Sequence, residues 1–420
     1  GLVAALHLLA KGEIPLILEA GAKVGDSIRQ WQHVRLFSPW KYLVDETTRE
    51  ALSSSGWSMP DEDSLPAGRE VVEMLLEPIA SLPAVSPHLH LGHRVIAVTR
   101  RGMDKVKTTG RDKAPFELLV QTTDGSTSRI YARAVIDASG TWQSPNPMGA
   151  GGVPADGESS AGEIVYGIPD VLGPQRSRYG GKHVLVVGSG HSAFNALLDL
   201  VTLKADVPST RITWAVRRND PGSMFGGGEN DALEARGALG ARLRALISAG
   251  AVGLRTGVRI AGVRRTAAGL MVETSEGTRI GPVDEIIVTT GFRPDLHIAR
   301  ELRLELDPWL EAPVRLAPLI DPNVHSCGTV YPHGAAELSH PEKDYYVVGM
   351  KSYGRAPTFL LLTGYEQVRS VVCALVGDED GARNVALSLP ETGVCQTGSA
   401  DSSCCGTHES GPVLAQLSHR

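Results

Sequence analysis

Gly188-Ser189-Gly190-His191-Ser192-Ala193 stands between a β-branched run, Val184 to Val187, and an apolar helical stretch from Phe194 to Leu203. A G-x-G-x-x-A turn at a strand end suits a dinucleotide. Gly188 makes the tight turn, Gly190 lets backbone approach a pyrophosphate, and Ala193 lets helix pack on strand. The pyrophosphate would accept hydrogen bonds from the helix N-terminus, at His191 and Ser192, with the Ser192 hydroxyl adding a donor. A second strand, Arg211 to Val216, runs into Arg217-Arg218. An NAD-preferring unit places a carboxylate there for the ribose 2′-hydroxyl, whereas a guanidinium pair suits the 2′-phosphate of NADPH. The other reactive stretch is Cys404-Cys405, with Cys395 upstream. Thiolates at that density suit a soft metal or metalloid, or reversible disulfide chemistry; the alternative is a polar end with no role.

The chain has 420 residues, enough for two or three domains of ~100–200 residues each. Its 42% hydrophobic and 21% charged residues are those of an ordinary globular protein. A net charge of −6 gives no basis for binding nucleic acid or an anionic membrane. No apolar run approaches the ~20 residues of a membrane span, and no basic signal region opens the chain. The five cysteines are too unevenly spread for a secreted disulfide framework, so the cytoplasm is the expected compartment. The expected partners are a small-molecule or metalloid substrate and a second copy of the chain in a homodimer; no structural metal is expected.

The elements around the glycine turn repeat. Gly1 to Gly12 has the periodicity of a buried helix, and the strand Pro15 to Glu19 ends in an acid. This is the back half of another dinucleotide unit, whose own strand and glycine turn would lie before Gly1; Glu19 is read as the ribose carboxylate of an FAD site. Two β-branched strands run into small residues, at Val135-Ile136-Asp137-Ala138-Ser139-Gly140 and at Glu285-Ile286-Ile287-Val288-Thr289-Thr290-Gly291. Two units and two exits form an internal repeat. The expected fold is α/β, with two Rossmann-like, three-layer dinucleotide-binding domains for FAD and NADPH. Phe116 to Val120 and Ile130 to Ile136 read as a β-meander, and Arg69 to Ala80 as a helix.

Glu19-Ala20-Gly21, Gly25, Trp31 and Arg35-Leu36-Phe37-Ser38-Pro39 resemble the flavin-dependent monooxygenase-like branch of the flavoproteins with two dinucleotide-binding domains, which is more distantly related to thioredoxin reductase. The resemblance implies an NADPH domain, 159–290, inserted in an FAD domain formed by 1–158 and 291–385, with a cysteine-containing tail at 386–420. It implies that Gly1 matches the last glycine of the FAD turn and that Val95 meets the adenine through its backbone. Ala138, Ser139 and Gly140 match the segment that returns to FAD, with Thr290 and Gly291 as their NADPH-side counterpart. The strand Tyr345 to Lys351 and a helix from Thr358 to Leu375 would cover the flavin, with Gly349 at the strand end and Lys351 either adding positive charge or lying on the surface.

The F-x-G-x-x-x-H fingerprint of flavin-containing monooxygenases has Ser160 and Tyr166 here in place of Phe and His. The tail resembles flavoproteins of bacterial arsenic-resistance clusters, and also the swinging cysteine pairs of mercuric and large thioredoxin reductases. Three functions stay open: hydride transfer from NADPH to FAD followed by oxygenation of a small soft nucleophile such as an arsenical; reduction of a disulfide or metalloid through Cys404 and Cys405 as catalytic thiols; and metalloid binding without catalysis. Trp31, Trp40 and Trp57 are candidates for a substrate wall or for core. His333, His340 and Cys327 are candidates for a proton or thiol contact or for structure. The glycines of Met224 to Asp231 read as a nicotinamide gate or a long loop.

Overall fold

The computed structural model describes residues 1–220, 222–225, 234–325, 331–356 and 359–385. Cys327, the glycines 226–228 and the whole tail with Cys395, Cys404 and Cys405 lie outside the described residues.

Helix α1 (Leu2–Ala10) leads to strand β1 (Ile17–Glu19), which pairs in parallel with β2 (Leu89–Leu91). Between them, α2 (Glu46–Ser53) starts at Asp45, whose carboxylate caps the Thr48 amide and holds the His7 ring at 2.8 Å. The helix expected from Arg69 to Ala80 contains a π-helical turn at Val72–Leu76. β3 (His93–Arg100), β4 (Phe116–Thr122) and β5 (Thr127–Ala132) form an antiparallel meander. The run Ile130 to Ile136 is not one strand of it. β5 ends at Ala132, the chain bends at residues 133–134, and β6 (Val135–Asp137) leaves the meander.

The second unit has β7 (Ile164–Tyr166), β8 (His183–Val187), helix α3 (His191–Asp206), β9 (Arg211–Ala215), helix α4 (Glu234–Ser248) and β10 (Gly253–Arg255). An antiparallel sheet of β11 (Ile260–Thr266), β12 (Gly269–Thr274) and β13 (Arg279–Val283) follows, before β14 (Glu285–Val288). The parallel sheet has the order β10-β9-β8-β14-β7. Alternation along β8 makes the three layers. Val184 and Val186 join Phe194, Leu197, Leu200 and Trp214 under the helices, while Leu185 and Val187 join Val263, Val272 and Val283 of the β11–β13 sheet. A strand covered on both faces needs the continuous apolar run that His183–Val187 supplies.

The first unit is built alike. β15 (Tyr345–Val347) pairs in parallel with β6, and helix α5 (Leu361–Leu375) follows. Val348, Val368, Val371 and Val372 pack with Val3 and Ala4 of α1, whereas Tyr345 and Val347 pack with Val98, Phe116 and Val120 of the meander. The strand expected from Tyr345 to Lys351 ends at Val347; Gly349–Tyr353 is a 3-10 turn.

Asp199 lies half-buried on α3. Burial pushes its carboxyl up to about 6, Asp170 adds to the rise and Arg242 opposes it. A carboxyl raised on folding binds more protons in the native than in the unfolded state, so stability falls as pH climbs from about 4 to about 6. Asp199→Asn is expected to gain on the order of 2 kcal/mol at pH 8 and nothing at pH 4. Thermal melts at the two pH values check this; equal shifts at both would refute it.

Candidate functional site

β8 ends in a turn that only glycine can make. Gly188 has φ +127°, and a Cβ on it would lie 2.5 Å from the Thr289 carbonyl oxygen and 2.6 Å from Thr289 Oγ1. The Trp214 indole, buried between Phe194 and Phe225, donates Nε1–H to the Gly188 carbonyl at 2.6 Å. Gly190 is the N-cap of α3, and a Cβ there would meet no atom within 4 Å. The N-terminus of a 16-residue helix thus opens onto space, with fully buried Ala193 closing helix onto strand. Its first-turn amides are fitted to an anion. Ser192 is half-buried at that end, and the His191 ring lies 5.4 Å from Phe37 of the first unit.

Arg217 and Arg218 follow β9 and line a recess of about 350 Å³ with Arg259 and Ala150. Arg217 donates to the Ala150 carbonyl at 3.1 Å, and Arg259 lies 3.5 Å from Glu276. Arg259 is a residue the sequence reading missed. It reaches the recess because the Gly257 amide donates to the Arg218 carbonyl at 2.9 Å, laying residues 257–259 beside the end of β9. No local pattern signals that pairing.

The two exits meet. Asn146 donates its amide N–H to the Gly291 carbonyl at 2.9 Å and Nδ2–H to the Thr290 carbonyl at 3.2 Å; its carbonyl accepts from Thr290 Oγ1 at 2.6 Å and its Oδ1 from Arg293 Nε at 3.0 Å. Thr290 and Gly291, at φ +86°, are thereby tied to the segment that follows Ala138-Ser139-Gly140. The Trp142 ring lies 4.6 Å from that of Phe292, tilted by 30°, with Trp31 at 6.4 Å and the Trp142 Nε1–H on Gln30 Oε1 at 2.8 Å. Trp31 is therefore at this junction, but Trp40 is core at 2% exposure and Trp57 donates to the Met74 carbonyl, so neither stands with it as a substrate wall.

On the first unit's side, Glu19 ends β1 with Oε1 accepting the Gly21 amide at 2.7 Å. Gly1 opens α1, and Val95 lies at a bulge in β3 opposite Val120. Gly140 and Gly349 both have φ +71°, and a Cβ on either would meet nothing within 4 Å. Lys351 is not on the surface: it is 2% exposed, with Nζ 2.7 Å from Asp137 Oδ2 and 3.0 Å from Ser139 Oγ. Asp137 also accepts from the Tyr345 hydroxyl and from the Ser139 amide and hydroxyl, so the lysine charge is paired inside the protein.

Of the candidate histidines, His333 is buried in a hydrogen-bond network beneath Gly349. His340 sits against the Tyr345 ring with its Nδ1 accepting the Glu305 amide, and burial pushes it down to about 4. Tyr166, in the fingerprint His position, donates its hydroxyl to buried Glu158 at 2.5 Å, and Glu158 also accepts the Met148 and Ala155 amides. Among the described residues there is no group of His, Cys, Asp and Glu that could hold a metal, and Cys373, buried, is the only cysteine. No helix among them is long and apolar enough to cross a membrane.

The residues present fit two dinucleotides. Open glycines and a strand-end carboxylate frame the first unit, and an open helix N-terminus with three guanidiniums frames the second. Residues 101–315 match the family described as pyridine nucleotide-disulphide oxidoreductase. No curated protein matches the sequence. Among solved structures, the bacillithiol disulfide reductase Bdr (YpdA) from Bacillus cereus is 17% identical, with 90% of this chain and 96% of that chain covered and a TM-score of 0.66. DfoA from Erwinia amylovora, a cadaverine monooxygenase of desferrioxamine biosynthesis solved bound to FAD, is 14% identical over 96% and 97% of the two chains, with a TM-score of 0.61. A flavin-containing monooxygenase from Stenotrophomonas maltophilia is 22% identical over 90% and 95%, with a TM-score of 0.55. These likenesses establish a shared fold of two dinucleotide-binding units.

Proposed function

The chain belongs to the pyridine nucleotide-disulphide oxidoreductase family, and on that premise we propose that it is an FAD- and NADPH-dependent oxidoreductase of monooxygenase-like type. The observation that carries this reading is the pairing of an open α3 N-terminus with a three-arginine recess at the next strand end. The first-turn amides beside Gly190 and Ser192 hold the pyrophosphate, and Arg217, Arg218 and Arg259 hold the 2′-phosphate. Glu19 takes a ribose hydroxyl of FAD, while Gly140 and Gly349 let backbone pass close to it. FAD, when bound, supplies the hydride acceptor and the site of oxygen chemistry. Half-buried Trp142, Phe292 and Trp31 supply an apolar wall at the junction. A small soft nucleophile is the substrate class, with arsenicals the instance suggested by the resemblance of the tail.

A second reading, an NADPH-dependent disulfide or metalloid reductase, is favoured by one observation. Tyr166 is bound to Glu158 rather than available to a reacting group. In that reading the thiols are Cys404 and Cys405, the adjacent pair in the sequence; Cys373 is buried. The deciding experiment gives NADPH to the FAD-loaded chain, first without oxygen and then with it. Bleaching of the flavin band followed by oxygen-dependent product from a soft nucleophile supports the monooxygenase. Oxygen-independent turnover lost in a Cys404→Ser, Cys405→Ser variant supports the reductase. No bleaching overturns both.

Arg259→Gln is expected to raise KM for NADPH about 10-fold or more, the worth of one charge-assisted hydrogen bond, and to leave KM for NADH unchanged. The difference should shrink as salt rises. Equal effects on the two nucleotides would remove Arg259 from the phosphate site.

A further inference from the structure

We propose that Gln367 is a positioning residue that holds the Gly349 turn in its cofactor-facing shape before any cofactor arrives. The inference rests on the FAD reading above. Gln367 projects from α5 and is fully buried, as is Ser352, with His333 at 1% exposure. Its Oε1 accepts the Gly349 amide N–H at 2.8 Å, and its Nε2 lies 3.0 Å from Ser352 Oγ and 2.9 Å from His333 Nε2. Ser352 Oγ donates in turn to the Gly349 carbonyl at 2.7 Å. Both backbone polar groups of Gly349 are thus engaged by the protein, and its open side is left facing space.

The orientation of the Gln367 amide is determined from outside the turn. His333 Nδ1 lies 2.8 Å from the Tyr331 carbonyl oxygen, which can only accept, so Nδ1 carries the proton. Nε2 is then an acceptor, and burial, which pushes the His333 pKa down, keeps it so. An acceptor there demands the NH2 end of Gln367, which leaves the oxygen end for Gly349. One carbonyl in the segment before Ala335 therefore decides, through two side chains, that an acceptor lies under the Gly349 N–H. On its other side the turn is braced by Lys351 on Asp137 and Ser139. A turn so held adds no ordering cost when a ligand binds.

The test measures hydrogen exchange at Gly349 in the cofactor-free chain and FAD affinity by flavin fluorescence, in the wild type and three variants. Gln367→Asn, which withdraws the oxygen from Gly349, is expected to speed Gly349 exchange about 10-fold or more and to weaken FAD binding about 10-fold, the worth of one buried hydrogen bond. Gln367→Met keeps the length and volume of the side chain but has no oxygen for Gly349, and is expected to fall with Gln367→Asn in both readouts. Ser370→Ala is the control. Ser370 is equally buried on α5 but bonds Ala335 and Ala382, so its loss should lower the melting temperature and leave both readouts unmoved. The proposal is overturned if Gln367→Asn matches Ser370→Ala at Gly349, or if Gln367→Met stays within about 3-fold of wild type, which would make the role one of packing. A wild type that does not take FAD overturns the reading beneath it, and the exchange measurement still decides whether Gln367 holds the turn.

Discussion

Replacing Glu342 by leucine is expected to remove about 3–5 kcal/mol of unfolding free energy, the cost of breaking a buried ion cluster on one side. Arg100, Arg111 and Glu342 are 2%, 3% and 2% exposed. Glu342 receives Arg100 Nε at 2.7 Å, Arg111 Nη2 at 2.7 Å and the Arg303 amide at 3.0 Å. Arg100 lies over the Phe116 ring at 3.6 Å, so the cluster is built into the base of the meander. Without the carboxylate two guanidiniums face each other in the interior, with only backbone carbonyls such as those of Ala114 and Asp104 to receive them.

Burial alone would push the Glu342 carboxyl up, but the Arg111 and Arg100 hydrogen bonds outweigh it and hold the group below the usual carboxylate range. A depressed carboxyl contributes stability above its unfolded pKa and loses it as pH falls through its folded pKa, so wild type and variant should converge in acid. Urea unfolding at pH 7 and at acid pH measures both. A loss under 1 kcal/mol at pH 7 would mean that the backbone carbonyls suffice.

Gly188→Ala and Gly190→Ala should both abolish most use of NADPH, and for different reasons. At position 188 a methyl collides with the Thr289 backbone at 2.5 Å in a conformation that L residues rarely adopt, so the turn or β14 must shift. A displacement of about 1 Å can cost about 100-fold in kcat/KM, and this variant should also melt earlier. At position 190 the backbone is extended and the methyl meets nothing, so the melting temperature should hold. The methyl instead fills the space kept for the pyrophosphate, and binding should fall by a similar factor. Nucleotide titration beside thermal melts separates the two. A Gly190→Ala variant with normal NADPH affinity would place the nucleotide elsewhere.

The order β8, glycine turn, α3, β9 is legible from sequence because each part carries a local signal: a doubly covered apolar strand, a glycine that steric limits require, and a helix with a continuous buried stripe. The same holds for α1 and β1 and for the exits at Ala138 and Thr290. What was not legible depends on residues far apart in the chain. β6 parts from the meander because its partner is Tyr345–Val347, some two hundred positions on. Lys351 reads as a surface or flavin-side lysine until Asp137 is placed beside it. Arg259 joins Arg217 and Arg218 only through a backbone pairing of Gly257. Trp40 and Trp31 look alike as letters, and burial alone separates them.

The Asn146 lacing has a mechanical consequence. The chain passes between the two units twice, and two independent tethers would let one unit both twist and splay against the other. Asn146, bonded to Thr290, Gly291 and Arg293, makes the two passages a single ladder. Splaying would break several of its hydrogen bonds together. The Trp142 ring on Phe292 and the His191 ring on Phe37 lie at the same junction, so the two units part only by giving up ring contacts along with the ladder.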